Sequence, residues 1–290
     1  MSSQRTFSEG LITKLTWAEP CNFVNGITKT ISPARPLTIC RVSIRSSLGL
    51  LDILPAELLF ETLNCLDFQS LSRISCISFK GKAMVENLLA YSDMITHAPG
   101  VLAALGKTQL ITYHSASLLR QTLRSNKCVS CSNFASTIFL PTCERVCVHC
   151  IHLNPSFWMI TTATAKQCFS LTDTQLGRIP ILRDVGSEYP RREHSYLVSQ
   201  KQARQLGIEV HGSDDVFQEA TPREFPIMPI SIRTPYLTAA GADYGRACRG
   251  CRVTPGHFLA KVRSRSRPDF LEHIRHCDGV CGLLREWGQF

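Results

Sequence analysis

The stretch that decides the fold is residues 48–89, LGLLDILPAELLFETLNCLDFQSLSRISCISFKGKAMVENLL. Its leucines and isoleucines recur every three or four residues, the spacing that places side chains on one face of an α-helix. Pro55 suits the start of a first helix, where its missing N–H costs nothing, and Asp67 suits the N-cap of a second. A third helix is predicted around Val85. Such short helices are marginal alone, so the pattern predicts a packed three-helix module over 48–92.

The apolar content of this module exceeds what a small helical hairpin can bury. Leu54, Pro55, Leu58 and Leu59 cluster at the start of the first helix, and a surplus of this kind indicates a surface for a partner. The alternative is an ordinary helical subdomain whose leucines are all core. Gly81 costs about 1 kcal/mol in a helix interior, so the third helix is expected to begin late.

The same segment resembles an F-box, with a Leu-Pro step, an acidic residue, paired leucines, a Leu-Asp turn and a serine before the third helix. The matching positions are Leu54, Pro55, Glu57, Leu58, Leu59, Leu63, Leu66, Leu71, Ile74 and Ser78. One departure is Phe79-Lys80-Gly81, where many F-boxes carry a bulky residue and an arginine. The resemblance implies a module that docks on the Skp-type adaptor of an SCF ubiquitin ligase, and through it on a cullin. The adaptor contacts are expected at Leu54, Pro55, Leu58, Leu59, Leu63, Leu66, Leu71 and Ile74.

Blocks further along the chain extend this likeness. They are VLAAL at 101–105, CVSC at 128–131, TIFLPTCERVCVHC at 137–150, LTDTQLGRIP at 171–180, YLVSQKQARQLGIEVHG at 196–212, CRGC at 248–251 and FLEHIRHC at 270–277. Taken together, they resemble a fungal F-box family over roughly residues 48–280. The resemblance implies an architecture and a recruiting role, and it gives no substrate.

A first cysteine cluster follows the helical module. Cys128 and Cys131 form one CxxC pair, and Cys147 and Cys150 form another after 15 intervening residues. This spacing is typical of a tetrahedral structural zinc site of the ribbon or treble-clef-like kind, the alternatives being a redox pair and plain buried cysteines. Four protein ligands leave no place for an activated water, so no catalysis is expected there. Three neighbours are expected to stand beside the metal without binding it: Cys143, His149 and His152.

A second cluster is predicted near the carboxyl end. Cys248 and Cys251 form a CxxC pair, and His273 and Cys277 follow after 21 residues. One continuous helix would place His273 and Cys277 on the same face, because residues i and i+4 share a helix face. The four residues predict a Cys3His zinc site. Cys281 lies four residues after Cys277, on the same face of the predicted helix, and is the rival fourth ligand. The alternative to a metal site is a row of cysteines that packs this helix against its neighbours.

The net charge of the chain does not decide between several classes of binding partner. The chain has 290 residues, fourteen cysteines and a formal net charge of +9. A nucleic-acid surface at the second cluster is one interpretation, but basic and aromatic residues do not alternate regularly, so a solvated loop face is favoured. The residues concerned are Arg246, Arg249, Arg252, Lys261, Arg263, Arg265 and Arg267, with Phe258 and Phe270 as aromatic candidates.

The organisation predicted from these patterns is mainly α with small β elements. Residues 1–47 lack periodicity and are expected to be a flexible basic segment, with a transit peptide as the alternative. The F-box at 48–92 precedes a helical region at 93–245, which carries the first zinc site at 128–150, and a C-terminal zinc unit at 246–290. Further expected elements are a helix capped by Ser115, a strand over 136–140, a helix over 197–206 ended by Gly207, and a loop over 212–245.

Three functions are compatible with these features. The leading hypothesis is a substrate-recruiting subunit of an SCF ubiquitin ligase that is not itself an enzyme. The alternative is a zinc-dependent nucleic-acid-binding or regulatory protein whose leucine segment dimerises. A metalloenzyme or thiol enzyme is disfavoured, because the sequence contains no HExxH, GxSxG, P-loop or GxGxxG motif, and Cys168 and His114 are expected to be core residues. No apolar run approaches the ~20 residues that span a bilayer and no secretory apolar segment is evident, so cytoplasm and/or nucleus is the expected location.

Overall fold

The computed structural model describes residues 7–17, 46–183, 196–215, 217, 230–239, 241–256 and 258–288. The fold is mainly helical with small antiparallel sheets, as the sequence predicts. The α-helices are α1 (Glu9–Leu15), α2 (Ala56–Cys65), α3 (Phe68–Ile77), α4 (Phe79–Asn87), α5 (Leu89–His97), α6 (Pro99–Lys107), α7 (Ala116–Leu123), α8 (Val148–Leu153), α9 (Thr162–Phe169), α10 (Asp173–Leu176), α11 (Gln200–His211), α12 (Arg249–Val253), α13 (Phe258–Lys261), α14 (Arg267–His276) and α15 (Asp278–Glu286). Among the described residues, 3-10 turns cover Gly49–Ile53 and Pro155–Phe157.

The strands of the described ranges are short, and their pairings are antiparallel. They are β1 (Thr16–Trp17), β2 (Thr137–Phe139), β3 (Glu144–Val146), β4 (Met159–Thr161), β5 (Leu182–Arg183), β6 (Tyr196–Ser199), β7 (Ser231–Arg233), β8 (Tyr236–Thr238), β9 (Gly241–Asp243), β10 (Arg246–Cys248) and β11 (Ser264–Arg265). Three sheets have the strand orders β1-β10-β11, β3-β2-β7 and β4-β6-β5, and β8 pairs with β9 alone. No helix among the described residues is long and apolar enough to cross a membrane.

Short polar side chains begin three of the early helices. Asp67 Oδ1 accepts a hydrogen bond from the Ser70 amide at 2.9 Å, as the N-cap pattern predicts. Ser78 Oγ accepts from Gly81 N at 3.0 Å and begins α4, and Ser115 begins α7 in the same way. Each side chain satisfies an amide that has no partner within its helix.

The expectation that the third helix begins late is wrong, because α4 begins at Phe79, directly after its Ser78 cap. Gly81 lies in the first turn, where a Cβ atom would stand 2.6 Å from the Ile74 carbonyl oxygen of α3. Glycine therefore allows α3 and α4 to pack closely, and this packing outweighs its low helix propensity.

One apolar core runs from the early helices into the first cysteine cluster. It includes Leu63 of α2, Met94 of α5, Leu119 of α7, Ile138 of β2 and Ile232 of β7. The predicted boundary between residues 92 and 93 therefore does not coincide with a break in the core. Strand β2 joins these parts, since Ile138 faces Arg145 of β3 on one side and Ile232 of β7 on the other.

The predicted helix over 197–206 is wrong at both ends. Residues 196–199 form strand β6, and α11 runs through Gly207 to His211 before Gly212 ends it at φ +80°. Gly207 stays helical and serves packing, because a Cβ there would stand 2.8 Å from the Phe217 ring. The loop predicted over 212–245 is also wrong in part, since β7, β8 and β9 lie within it.

The predicted flexible segment over 1–47 is corrected for residues 9–17. Helix α1 buries Ile12 and Leu15 in a core with Phe270, Ile274 and Val280 of the C-terminal region. Strand β1 then pairs with β10, with Trp17 opposite Ala247. The amino-terminal segment thus completes the C-terminal unit, a relationship that local periodicity cannot reveal because the partners lie more than 200 residues apart. Residues 18–45 of the same prediction lie outside the described residues.

Candidate functional site

The first CxxC pair lies on a tight turn directly after α7. The Cys128 amide donates to the Asn133 carbonyl at 2.7 Å, and the Ser132 amide donates to the Cys128 carbonyl at 2.9 Å. Ser132 has a φ of +59°, the left-handed conformation that turns the chain back on itself. Cys131 is exposed on this turn, whereas Cys128 is buried.

The β2–β3 hairpin brings the second pair to this turn. The confirmed strand β2 and its partner β3 lead directly to Cys147, which is the N-cap of α8. The Cys150 amide donates to Cys147 Sγ at 3.4 Å. Amides at a helix start stabilise a negatively charged sulfur, so this position suits a thiolate ligand.

The four sulfur atoms converge with the geometry of a metal site. The sulfur atoms of Cys128, Cys131, Cys147 and Cys150 all lie within 4.8 Å of one another, and Cys131 Sγ is 3.6 Å from Cys147 Sγ. A tetrahedral zinc with Zn–S bonds of ~2.3 Å separates two sulfur atoms by about 3.8 Å. The group is therefore compatible with structural zinc, as the spacing predicts.

Polar contacts and burial shift the pKa values of these cysteines in opposite directions. Asn133 Nδ2 donates to Cys131 Sγ at 3.2 Å, which orients a ligand that is otherwise exposed. The hydrogen bond from the Cys147 thiol lowers the pKa of Cys128 to about 4 and raises the pKa of Cys147 itself. Burial raises the pKa of Cys150, and bound zinc would reverse that effect by replacing its proton.

Three neighbours of the first cluster do not join it. Cys143 is buried, its sulfur lies 3.7 Å from Thr122 Oγ1, and burial raises its pKa to about 11, so it remains a neutral thiol of the core. His149 is exposed and His152 is half-buried. Among the described residues, neither histidine belongs to the convergent group.

The second group assembles from four separate elements. Cys248 ends β10, Cys251 lies in α12, His273 lies in α14, and Cys277 lies between α14 and α15. Their ligand atoms lie within 4.8 Å of one another. The Cys277 sulfur is 3.8 Å from that of Cys248 and 3.7 Å from that of Cys251. These separations equal the sulfur–sulfur distance of about 3.8 Å expected around a tetrahedral zinc.

The His273 imidazole of this group lies closer to the Cys251 sulfur than two ligands of one zinc ion would lie to each other. His273 Nε2 is 3.1 Å from Cys251 Sγ, whereas a tetrahedral zinc separates sulfur and nitrogen ligands by about 3.6 Å. Metal entry therefore requires the imidazole to move outward by about half an ångström. This displacement is within the reach of a surface helix side chain, and the group is compatible with a Cys3His zinc site.

The continuous helix predicted through His273 and Cys277 is wrong. Helix α14 ends at His276, and Cys277 adopts an extended conformation as the N-cap of α15. The break, not a shared helix face, turns the Cys277 sulfur toward the CxxC pair. Cys281 lies one turn into α15 outside the convergent group, so the choice between the two cysteines falls on Cys277.

Gly250 and Gly279 make this arrangement possible and were missed by the sequence analysis. A Cβ atom on Gly250 would stand 2.4 Å from the Val280 amide nitrogen. The absence of side chains lets α12 and α15 touch through their backbones, which brings Cys251 and Cys277 together. The sequence feature that could have revealed them is their position, because each glycine lies within two residues of a predicted metal ligand.

Arg145 is the largest fully buried side chain near the first cluster, and only 2% of it is exposed. Its guanidinium donates to the carbonyls of Thr122 at 2.9 Å and Thr234 at 2.7 Å, and also to the Pro235 carbonyl. Burial lowers its pKa to about 10, which still leaves it charged at neutral pH. The side chain joins the end of α7 to the β7–β8 turn, a role that no sequence pattern indicated.

The eight predicted adaptor contacts fall into three classes. Leu54, Pro55 and Leu58 are exposed, Leu66 and Ile74 are half-buried, and Leu59, Leu63 and Leu71 are buried. The three buried leucines belong to the chain's own core, so they support the helices and offer no surface to a partner. The contact set stays a prediction, and its exposed and half-buried members are the ones that offer surface to a partner.

Further apolar side chains, not predicted as contacts, are exposed beside Leu54. Leu50 is 84% exposed and Ile53 78%, both on the 3-10 turn before α2, and Ile77 is 74% exposed at the end of α3. An ion pair of 2.7 Å between Asp52 and Lys80 ties that turn to the start of α4. The exposed apolar residues of both segments therefore lie at one end of the helical module.

Two lone residues behave as the sequence analysis expected. His114 is buried, and its Nε2 lies 2.8 Å from the Leu140 carbonyl oxygen. Burial lowers the pKa of His114 and raises that of the Cys168 thiol. Both are neutral core groups at neutral pH.

Comparison with known proteins assigns no family to this geometry, since no protein-family model, curated protein or solved structure matches the chain.

Proposed function

We propose that the chain is a substrate-recruiting subunit of an SCF-type ubiquitin ligase. In this proposal the helical module over 48–92 is an F-box that docks on a Skp-type adaptor, and the remainder, held by two structural zinc ions, presents a surface to a protein substrate. The chain itself is not an enzyme. It contributes proximity, which raises the effective concentration of substrate near the ubiquitin-conjugating enzyme.

The observation that carries the proposal is the exposed apolar face around the Leu-Pro step. Leu54 is 38% and Leu58 is 51% exposed, although both belong to a module in which Leu59, Leu63 and Leu71 form a core. A contiguous exposed apolar surface on a folded module is typical of a protein-interaction site. The Leu54 face, defined by Leu50, Ile53, Leu54, Pro55 and Leu58, is the proposed docking surface.

The buried leucines support the same interpretation. Leu59, Leu63 and Leu71 pack inside the module, so the helices do not need a partner to form their core. A preformed face loses little conformational entropy on binding. The energy of such an interface concentrates in a few central residues, for which Leu54, Pro55 and Leu58 are the candidates.

The metal-compatible groups support a structural role for the rest of the chain. Each group offers four protein ligands, so a bound zinc would have no open position for water or substrate. Sites of this kind stabilise a fold. This favours a binding surface over a catalytic centre downstream of the module.

The test is affinity purification of the full chain with identification of partners by mass spectrometry. The variant is Leu54→Ala/Pro55→Ala, and the matched control is Leu118→Ala/Leu153→Ala, which removes apolar surface of partly exposed residues on α7 and α8. A Skp-type adaptor and a cullin are expected with the wild type and control and not with the variant, while substrates remain bound to all three. Adaptor recovery with the folded variant equal to that of the wild type would refute the proposal.

A further inference from the structure

Two arginine–tryptophan pairs lie on one short helix of the C-terminal unit. The guanidinium carbon of Arg252 lies 4.0 Å from the centre of the Trp17 ring, and that of Arg249 lies 6.0 Å from the centre of the Trp287 ring. Both arginines belong to α12, three residues apart, where side chains are neighbours on the helix surface. We call Arg249, Arg252, Trp17 and Trp287 the Arg–Trp platform.

Distant segments of the chain build this platform. Trp17 arrives through the pairing of β1 with β10, Trp287 follows the end of α15, and α12 carries both arginines beside the ligand Cys251. The sequence showed no alternation of basic and aromatic residues because its aromatic members stand at positions 17 and 287. Phe270, an aromatic candidate from the sequence, is instead fully buried in the core of this unit.

The platform is positively charged and accessible. Arg249 and Arg252 are both exposed, and no ion pair among the described residues involves either of them. Residues 7–17 and 241–288 contain ten Lys and Arg against six Asp and Glu. The unit therefore attracts anions. Both guanidinium groups lie at its surface, although Arg249 Nη1 also donates to the Lys14 carbonyl oxygen at 3.5 Å.

We propose that the Arg–Trp platform binds single-stranded nucleic acid. The Arg252 guanidinium rests on the Trp17 ring at 4.0 Å, so its outer face can stack on a base while its N–H edge donates to phosphate oxygens. Arg249, at 6.0 Å from the centre of the Trp287 ring, lies at the outer limit of such a contact and adds a second charge for phosphate. Stacking of bases on aromatic and guanidinium planes over a basic surface is how proteins hold single strands without sequence preference. This surface extends beyond the adaptor-docking role and does not depend on it.

The platform fits other anionic partners less well. An acidic peptide would form ion pairs with the two guanidinium groups but has no aromatic base to stack on their planar faces. An anionic membrane would require several apolar side chains that protrude, whereas both tryptophans are partly buried and Trp17 Nε1 is fully enclosed. On α12 Val253 alone is such a side chain, at 59% exposure. Duplex nucleic acid keeps its bases stacked on one another, so it offers phosphates and little base surface.

The experiment measures binding of the full, zinc-loaded chain to a fluorescent oligo-dT and a fluorescent oligo-U by anisotropy across a salt series. The wild type is expected to bind with a steep salt dependence and to lose tryptophan fluorescence on binding. Arg249→Gln/Arg252→Gln should weaken binding roughly 10- to 100-fold and reduce the slope of log K against log salt by about 1.4, since each lost phosphate contact on a single strand is worth about 0.7. The charge-matched control is Arg73→Gln/Arg178→Gln, two exposed arginines outside the platform, and it should keep the wild-type slope.

A second variant separates stacking from charge. Arg249→Lys/Arg252→Lys keeps both charges but removes the planar groups, so the salt slope should persist while affinity falls about tenfold and the fluorescence change is lost. Absence of saturable binding by the wild type, or an equal loss in the Arg73/Arg178 control, would overturn the proposal. Equal or tighter binding to poly-glutamate or to anionic phospholipid vesicles would also overturn it, in favour of a peptide or a membrane.

Discussion

A Cβ atom added to Gly279 would stand 2.2 Å from the carbonyl oxygen of Gly250. Because that neighbour is backbone, Gly279→Ala must separate α12 from α15 and move Cys277 away from Cys251. Overpacking of this kind costs about 1–3 kcal/mol, and the displaced ligand should weaken the second metal site further. We expect the variant to retain one equivalent of zinc where the wild type retains two, measured by atomic emission after dialysis.

The matched control for this substitution lies on the same helix. Gly282 has open space around its Cα and is exposed on α15. Gly282→Ala should keep both zinc ions and raise the unfolding free energy by up to about 1 kcal/mol, because alanine is the better helix former. If Gly279→Ala retained the zinc content and stability of this control, the close approach of the two helices would be irrelevant to the site.

Serine variants distinguish the ligands at each centre. Cys150→Ser and Cys277→Ser should each lower the zinc content by one equivalent, whereas Cys281→Ser should leave it unchanged, because Cys281 lies outside the convergent group. A chelator should lower the melting temperature of the wild type sharply, since structural zinc contributes on the order of 10 kcal/mol to folding. Loss of zinc from Cys281→Ser but not from Cys277→Ser would reverse the assignment.

Features set by nearby residues could be predicted from the sequence, whereas features set by contacts between distant segments could not. The Asp67 and Ser115 caps depend on spacings of a few residues, and the two ligand sets depend on short pairs separated by 15 and 21 residues. The structure contains all of them. The role of α1 and the break at Cys277 depend on contacts between segments that are distant in the chain. Gly81 and Gly207 were misinterpreted for the same reason, because their helix propensity is visible in sequence while the backbone or ring packed against them is not.

Arg145 should be essential to the stability of the first cluster. Arg145→Met would remove the guanidinium donor from the buried carbonyls of Thr234 and Pro235, whereas the Thr122 carbonyl would keep the Ser125 amide at 3.3 Å. Each buried group left unsatisfied costs about 1–3 kcal/mol. We expect the unfolding free energy to fall by about 3 kcal/mol or more in urea titrations. The control Arg178→Met removes an exposed arginine and should change stability by less than about 0.5 kcal/mol. An equal effect of the two variants would contradict a role for the buried hydrogen bonds.

Neighbouring leucines of α2 should separate binding from folding. Leu58 is half exposed and Leu59 is buried, although both match the F-box pattern. Leu58→Ala should leave the unfolding free energy within about 0.5 kcal/mol while weakening adaptor capture, whereas Leu59→Ala should cost about 2–5 kcal/mol. Thermal unfolding and adaptor pull-down on the same preparations provide the two measurements. Strong destabilisation by Leu58→Ala would mean that this side chain serves the core and not a partner.

The amino-terminal helix should control the stability of the C-terminal unit. Leu15 is fully buried against residues of α14 and α15, so Leu15→Ala should destabilise that unit by about 2–5 kcal/mol. Because Cys248 lies on the strand paired with β1, zinc should leave the second centre at lower chelator concentration while the first centre is unaffected. Thr13→Ala is the control, since Thr13 is an exposed position of the same helix, and it should match the wild type. Equal chelator sensitivity of Leu15→Ala and Thr13→Ala would show that the unit folds without α1.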